Sequence, residues 1–317
     1  MFWKRGDIQR QLQGSSVIRQ IEKRLNAIKY DYGLVCSIAP EFEEFSLEMF
    51  LWARQIVTSR NFSITVDGVK TDALVPFADM LNHKRPRETK WEFNDETKQF
   101  TITTLCEIPA GHEVLDSYGK KCNSRFFLSY GFAIEHNCDE DGKCHNECSI
   151  TVELDPEDAL YPTRLALLRN SGTIRQVRLS KTYRDSGTIT AFSFLRFAVA
   201  AQHELPKLNA FITSGARTVV QPVNRENEIR VLETLRRICT TRLSEYRPIN
   251  EELDRPIQIL LKGEQDILRF YETSVPLFTS LLGEKTMRQA QKQIKKVKDR
   301  DCLAYINTVI VPLLLQS

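Results

Sequence analysis

The sequence predicts an α+β chain in two parts: a β-rich first half that opens with helices, then a helical second half. Three observations carry this. Between residues 61 and 117, short β-prone runs are separated by turn residues such as Asp67-Gly68 and Pro109-Ala110-Gly111. Beyond about residue 150 the strands fade and long segments show helical spacing instead. The polar stretch His136–Cys148 lies between the two and reads as a boundary.

In chain order, Ile18, Ile21, Leu25 and Ile28 recur at helical spacing and predict a helix over Val17–Tyr32. Ser46 is a natural N-cap for a second helix through Leu47, Phe50, Leu51 and Ile56 to Arg60. Asp67-Gly68 predicts a hairpin. In "VPFADMLNHKRP", Val75, Pro76, Phe77, Met80 and Leu81 read as buried strand, stopped by Asn82-His83. Two more strands flank Pro109-Ala110-Gly111, and Asn123–Tyr130 reads as a short helix stopped by Gly131. The later helices are expected over Thr190–His203, Arg225–Tyr246, Ile257–Leu282 and Lys285–Lys298. Pro276 should kink or divide the third of these.

With 42% apolar and 27% charged residues, the 317-residue chain has enough apolar content for packed cores and is not globally disordered. A net charge of +3 falls short of the basic stripe of a dedicated nucleic-acid binder. Cys302–Leu315 is too short to span a bilayer and reads as a docked terminal helix, so no membrane role is expected. The start has no secretory pattern. The eight cysteines are therefore expected as reduced thiols in an intracellular protein, cytoplasmic and/or nuclear.

"DMLNH" (Asp79–His83) and "SYGKKCNSRFFLSYGF" (Ser117–Phe132), in this order and spacing, resemble the SET-domain methyltransferases. They look most like the branch that includes Rubisco large-subunit methyltransferase. "FLWARQIVTSR" before the hairpin is similar to that branch as well. "ENEIRVLETLRRICTTRLSEY" and "ILLKGEQDILRFYE" look like its helical substrate-binding domain. The resemblance implies a partial SET fold over 1–137, with a helical insert over about 1–45, followed by an all-α substrate-binding domain over 150–317. It implies methyl transfer from S-adenosylmethionine to a lysine of a protein substrate.

Such a transfer is an in-line displacement, so the protein mainly aligns and desolvates its reactants. Only about one lysine in 2,500 is neutral at pH 7, and an apolar channel favours that form. By the resemblance, Tyr118 is the catalytic tyrosine and a cofactor neighbour. Asn82 and His83 pack on the cofactor, Arg60 meets its carboxylate, and Phe132 lies near its adenine. Tyr130 is the wall of the lysine channel, and Asn123 helps to hold the chain crossing. In a histidine-methylating branch the tyrosine matching Tyr130 is smaller and a tryptophan precedes the Asp-Met pair. Tyr130 and Ala78 at those places favour lysine.

The family's glycine-x-glycine cofactor strand has no match among the 13 glycines. By comparison with the family, Met1 falls inside the helical insert, so residues 1–317 alone are expected to bind the cofactor weakly, if at all, and to be inactive. A non-catalytic relative that binds a protein partner is the second reading. Cys138, Cys144 and Cys148 with His136 or His145 could supply four zinc ligands. The spacing lacks a C-x-x-C pair, so no metal is expected there. The seven Lys and Arg of Lys285–Arg300 read as a solvated face. That run has no aromatic residue, which weakens the reading as an RNA-associated factor.

Overall fold

A computed structural model describes residues 4–168, 172–214 and 218–316. The chain is α+β and divides into two compact units, Met1–Gln9 with Val17–His145, and Arg10–Ser16 with Asn146–Ser317. Among the described residues no helix is long and apolar enough to cross a membrane.

In the first unit, α1 (Arg5–Gln11, shared with the second unit) precedes α2 (Val17–Ile38) and α3 (Leu47–Arg60). Ser46 caps α3 by accepting from the Met49 amide at 3.2 Å. The antiparallel pair β1 (Asn61–Val66) and β2 (Val69–Leu74) turns at Asp67-Gly68, both with positive φ. The two-residue β3 (Asn82–His83) follows, then the pair β4 (Thr89–Asn94) and β5 (Gln99–Thr104). Next come β6 (Leu115–Asp116) and α4 (Asn123–Tyr130), which Gly131 ends in the left-handed region at φ 81°.

The reading of Val75–Leu81 as buried strand is corrected. Ala78–Met80 is a single 3-10 turn, Phe77 has φ 69°, and Phe77 and Met80 are 82% and 68% exposed. The Arg60 guanidinium bonds both the carboxylate and the carbonyl of Asp79, which holds the backbone in a bend there. Tyr30, Ile38 and Trp52 are also solvent-exposed.

The second unit contains β7 (Cys148–Glu153), α5 (Tyr161–Leu168), β8 (Ile174–Leu179), α6 (Ser186–Ala198) and α7 (Asn209–Thr213). After these come α8 (Arg225–Glu245), α9 (Arg255–Leu282), α10 (Met287–Ile294), α11 (Arg300–Tyr305) and α12 (Val311–Leu315). The β7–β8 pair is antiparallel, so this mainly helical unit also holds one pair of strands. Its strands bury Cys148, Ile150 and Val152 on one face, an alternation too short to stand out among helices. Pro276 does not divide α9, because Tyr271, Ser274, Val275, Phe278 and Leu281 bury a continuous face on both sides of it. Arg196 is buried at the centre, bonded to both oxygens of Glu228 at 2.8 Å and to the Tyr183 hydroxyl at 2.9 Å.

Candidate functional site

The site lies in the first unit and begins with a very short ladder. Strand β3 pairs in parallel with β6, placing Asn82 opposite Leu115 and His83 opposite Asp116. The Lys84 amide extends it by donating to the Asp116 carbonyl at 2.8 Å. Segments about 30 residues apart in sequence thus run side by side. The Tyr118 amide donates to His83 Nδ1 at 2.9 Å, and the Tyr118 hydroxyl donates to the Leu81 carbonyl at 2.7 Å. Tyr118 is therefore tied to the Asn-His segment through both its backbone and its phenol.

Helix α4 supplies the opposite wall. Phe126 and Tyr130 share one face at i, i+4, and the turn at Gly131 brings Phe132 back against them. The His83 ring is 4.9 Å from Phe126 and 5.9 Å from Phe132, stacked on the latter. Tyr118 lies 4.8 Å from Tyr130. Asn123 braces the return by exchanging hydrogen bonds with both the amide and the carbonyl of Ile134, at 2.9 and 2.8 Å.

A cleft of about 240 Å³ opens beside these rings, lined among others by Arg60, Asp79, Asp116, Tyr118, Lys121 and Tyr130. Burial, then the neighbouring Tyr130, raises the Tyr118 phenol above its usual range, so it stays a protonated donor at neutral pH. Burial likewise raises Tyr130. Burial, then Arg125, lowers the Lys121 ammonium, whose Nζ donates to the Tyr118 carbonyl and lies 5.7 Å from the Tyr130 ring centre. His83 is pushed down to about 4, first by burial and then by Arg85 and Lys121, with Asp116 opposing.

Of the residues singled out from the sequence, His83, Tyr118, Tyr130 and Phe132 come together. Arg60 reaches the cleft, but its guanidinium is engaged by Asp79 at 3.1 Å. Asn82 points elsewhere: it is exposed and donates to Glu113 at 2.6 Å, as alternation along a strand requires of the residue next to His83. The sequence reading missed Asp116, which is buried and accepts from the Thr89 hydroxyl at 3.0 Å, and Lys121. The only signal for Lys121 was its place three residues after Tyr118, in a lysine pair that looks like solvated charge.

The expectation of reduced thiols is corrected at one place, where Cys138 and Cys144 form a disulfide. Two of the three cysteines weighed as zinc ligands are thereby bonded to each other, while Cys148 is buried in β7. Among the described residues no group of three or more His, Cys, Asp or Glu side chains could hold a metal ion.

Residues 155–270 match the family model of the Rubisco LSMT substrate-binding domain. The ribosomal lysine N-methyltransferase set10 of Schizosaccharomyces pombe is 26% identical over 224 residues, 68% of this chain and 40% of that protein. The actin-histidine N-methyltransferase of Canis lupus familiaris is 26% identical over 259 residues, 78% of this chain and 41% of that protein. The chain is related to the SET-domain methyltransferases. It spans about 40% of the length of these two curated relatives. The human SET domain-containing protein 4 is 34% identical over 113 residues, 32% of this chain and 26% of that protein. The fold matches the structure of Rubisco LSMT bound to AdoMet with a TM-score of 0.64 at 21% identity, covering 94% of this chain and 71% of that one. The SET domain of LSMT bound to lysine and AdoHcy gives 0.65 at 19% identity, covering 95% and 73%. The chain therefore shares the fold of these structures over 94–95% of its length.

Proposed function

We propose that this protein transfers a methyl group from S-adenosylmethionine to a lysine side chain of a protein substrate. Residues 1–137 would form the SET-type part, with a helical insert over about 1–45, and residues 150–317 the substrate-binding part. The observation that carries this reading is the double tether of Tyr118, amide to His83 and phenol to Leu81, beside the Tyr130 ring. It holds a phenol at the edge of an aromatic slot within a cleft.

The residues suit the cofactor. His83 Nδ1 accepts a hydrogen bond, so Nε2 carries the proton, and Nε2 is buried without a partner among the described residues. A buried donor between flat aromatic rings fits a purine with ring acceptors. His83 and Phe132 would border that group, and Arg60 could meet its carboxylate only by loosening its bond to Asp79. Asn82 contributes through its backbone, since its side chain is taken by Glu113. Once bound, the cofactor supplies a methyl already activated on a sulfonium.

The other steps belong to side chains of this chain. Tyr118 orients the incoming amine and stabilises the polarised methyl electrostatically. Its raised pKa keeps it a phenol through the neutral range, so it acts as a fixed dipole and not as a base. Tyr130 narrows the channel and excludes water, which favours the neutral amine.

Histidine is the second possible target, because proteins named as actin-histidine N-methyltransferases are among the relatives. Tyr130 favours lysine, since a full-sized ring leaves less room for an imidazole. The deciding experiment fuses the glycine-x-glycine segment of a SET relative ahead of residues 1–317, supplies radiolabelled S-adenosylmethionine and a cell extract, then identifies the labelled amino acid after acid hydrolysis. Methyl-lysine is expected and methyl-histidine would select the second reading. Absence of both label and S-adenosylmethionine binding would point to a partner-binding relative without a working cofactor site. The substrate is proposed to be an intracellular protein, cytoplasmic or nuclear, with nucleic acid playing no part.

A further inference from the structure

Residues 137–145 form a small hairpin whose arms are joined by the Cys138–Cys144 disulfide. The two cysteines face each other across an antiparallel bridge. It is framed by hydrogen bonds from the His145 amide to the Asn137 carbonyl and from the Asp139 amide to the Lys143 carbonyl, both 2.9 Å. This hairpin grips both segments that make the site. Asn137, 1% exposed, accepts from the Arg85 guanidinium through Oδ1 and donates through Nδ2 to the Lys121 carbonyl at 2.9 Å. Asp139 accepts from the other Arg85 nitrogen at 3.3 Å and from Lys120 Nζ at 2.6 Å. Arg85 is two residues past His83, and Lys120 and Lys121 lie two and three past Tyr118.

We propose that Asn137 and Asp139 are positioning residues for the Tyr118–His83 site, and that the Cys138–Cys144 disulfide makes their hold responsive to thiols. The ladder they support is only two residue pairs long, β3 against β6, with one further bond from Lys84. A short parallel ladder has few bonds of its own, so side-chain ties from a closed hairpin carry a large share of the register. Cys138 and Cys144 are both partly exposed, so a small thiol can reach them. In the reaction a thiolate of a dithiol attacks one cysteine Sγ and forms a mixed disulfide. The second thiol of the reagent displaces that cysteine. The reagent leaves as its cyclic disulfide, and each cysteine ends with one hydrogen. Opening the bond restores freedom to the chain between the two cysteines, and Asn137 and Asp139 then hold Arg85, Lys120 and the Lys121 carbonyl less firmly. The placement of these residues stands apart from the methyl-transfer reading; only the effect on cofactor affinity rests on it.

The test is amide hydrogen exchange with and without dithiothreitol, with thiols counted by mass spectrometry. Reduction is expected to release two thiols and to speed exchange of the Tyr118 and Lys84 amides tenfold or more. The β1–β2 amides should stay unchanged, and reoxidation should restore protection. Asn137→Ala and Asp139→Ala should each speed the same amides without reductant. Equal exchange in both redox states would overturn the proposal. So would free Cys138 and Cys144 holding one equivalent of zinc in the untreated protein. S-adenosylmethionine affinity, measured by calorimetry, should fall about tenfold on reduction. Binding in neither state is what residues 1–317 without a glycine-x-glycine strand would give, and the exchange rates would still decide this proposal.

Discussion

The Tyr118 amide donates to His83 Nδ1 at 2.9 Å, and this one bond selects the neutral imidazole with its proton on Nε2. Burial, then Arg85 and Lys121, pushes the group down to about 4. An unfolded histidine takes up its proton near pH 6.5, and the folded one resists until about pH 4. The stability from neutral His83 is therefore full above pH 6.5 and is lost as pH falls towards 4. Thermal melts at pH 7.5 and pH 4.5 should show a smaller drop in Tm for His83→Gln than for the wild-type protein. Parallel drops would mean that His83 titrates normally.

Tyr118→Phe removes the hydroxyl that donates to the Leu81 carbonyl at 2.7 Å. One net hydrogen bond is worth about 1 kcal/mol, so the variant should fold with a slightly lower Tm. Methyl transfer should fall about a hundredfold or more, as loss of an oriented group at the reacting centre predicts. Unchanged turnover in a folded Tyr118→Phe protein would remove the phenol from the mechanism.

In the second unit, Glu228→Gln leaves the Arg196 guanidinium buried opposite a neutral amide. Both side chains of this pair are essentially inaccessible, and Tyr305 donates to the same carboxylate at 2.6 Å. Breaking such a pair from one side costs about 3–5 kcal/mol, a large fraction of ordinary domain stability. Urea denaturation should show that loss. A change under about 1 kcal/mol would mean that water reaches Arg196 in the variant.

Gly14 and Gly33 should respond oppositely to alanine. Gly14 has φ 86°, and an added Cβ would lie 2.6 Å from Tyr246 Cα, so both strain and overlap oppose it. Gly33 lies inside α2 with nothing within 4 Å of an added Cβ. Gly14→Ala should destabilise by more than about 1 kcal/mol, while Gly33→Ala should stabilise by about 0.5–1 kcal/mol. Equal Tm values for the two variants would argue against the packing of Arg10–Ser16 on Tyr246.

Limited proteolysis gives a covalent check on the hairpin. Glu140–Lys143 is its exposed tip and a natural place for a nick. Fragments cut there should stay joined by Cys138–Cys144 in non-reducing electrophoresis and separate only after reduction. Separation without reductant would show that the cysteines are not bonded.

By itself the sequence determined the local elements. The Ser46 cap, the Asp67-Gly68 turn and the Gly131 stop depend on neighbours within five residues, and each sits where those residues put it. The Tyr118 and His83 motifs were legible through resemblance. What only the tertiary structure decided lies in contacts between distant residues. Hydropathy marked Phe77 and Met80 as interior, but the bend held by Arg60 and Asp79 turns them outward. The pattern did not say which of Asn82 and His83 faces the rings. That follows from the register of β3 on β6, which fixes the side of every residue on so short a strand. Lys121 carried little local signal beyond its nearness to Tyr118, and Asn137 none, because a lysine pair and a polar loop look solvated until folding places them against Tyr130 and Arg85. Periodicity records only what neighbours along the chain share, whereas this site is built from segments that lie 30 to 55 residues apart and meet only in the folded chain.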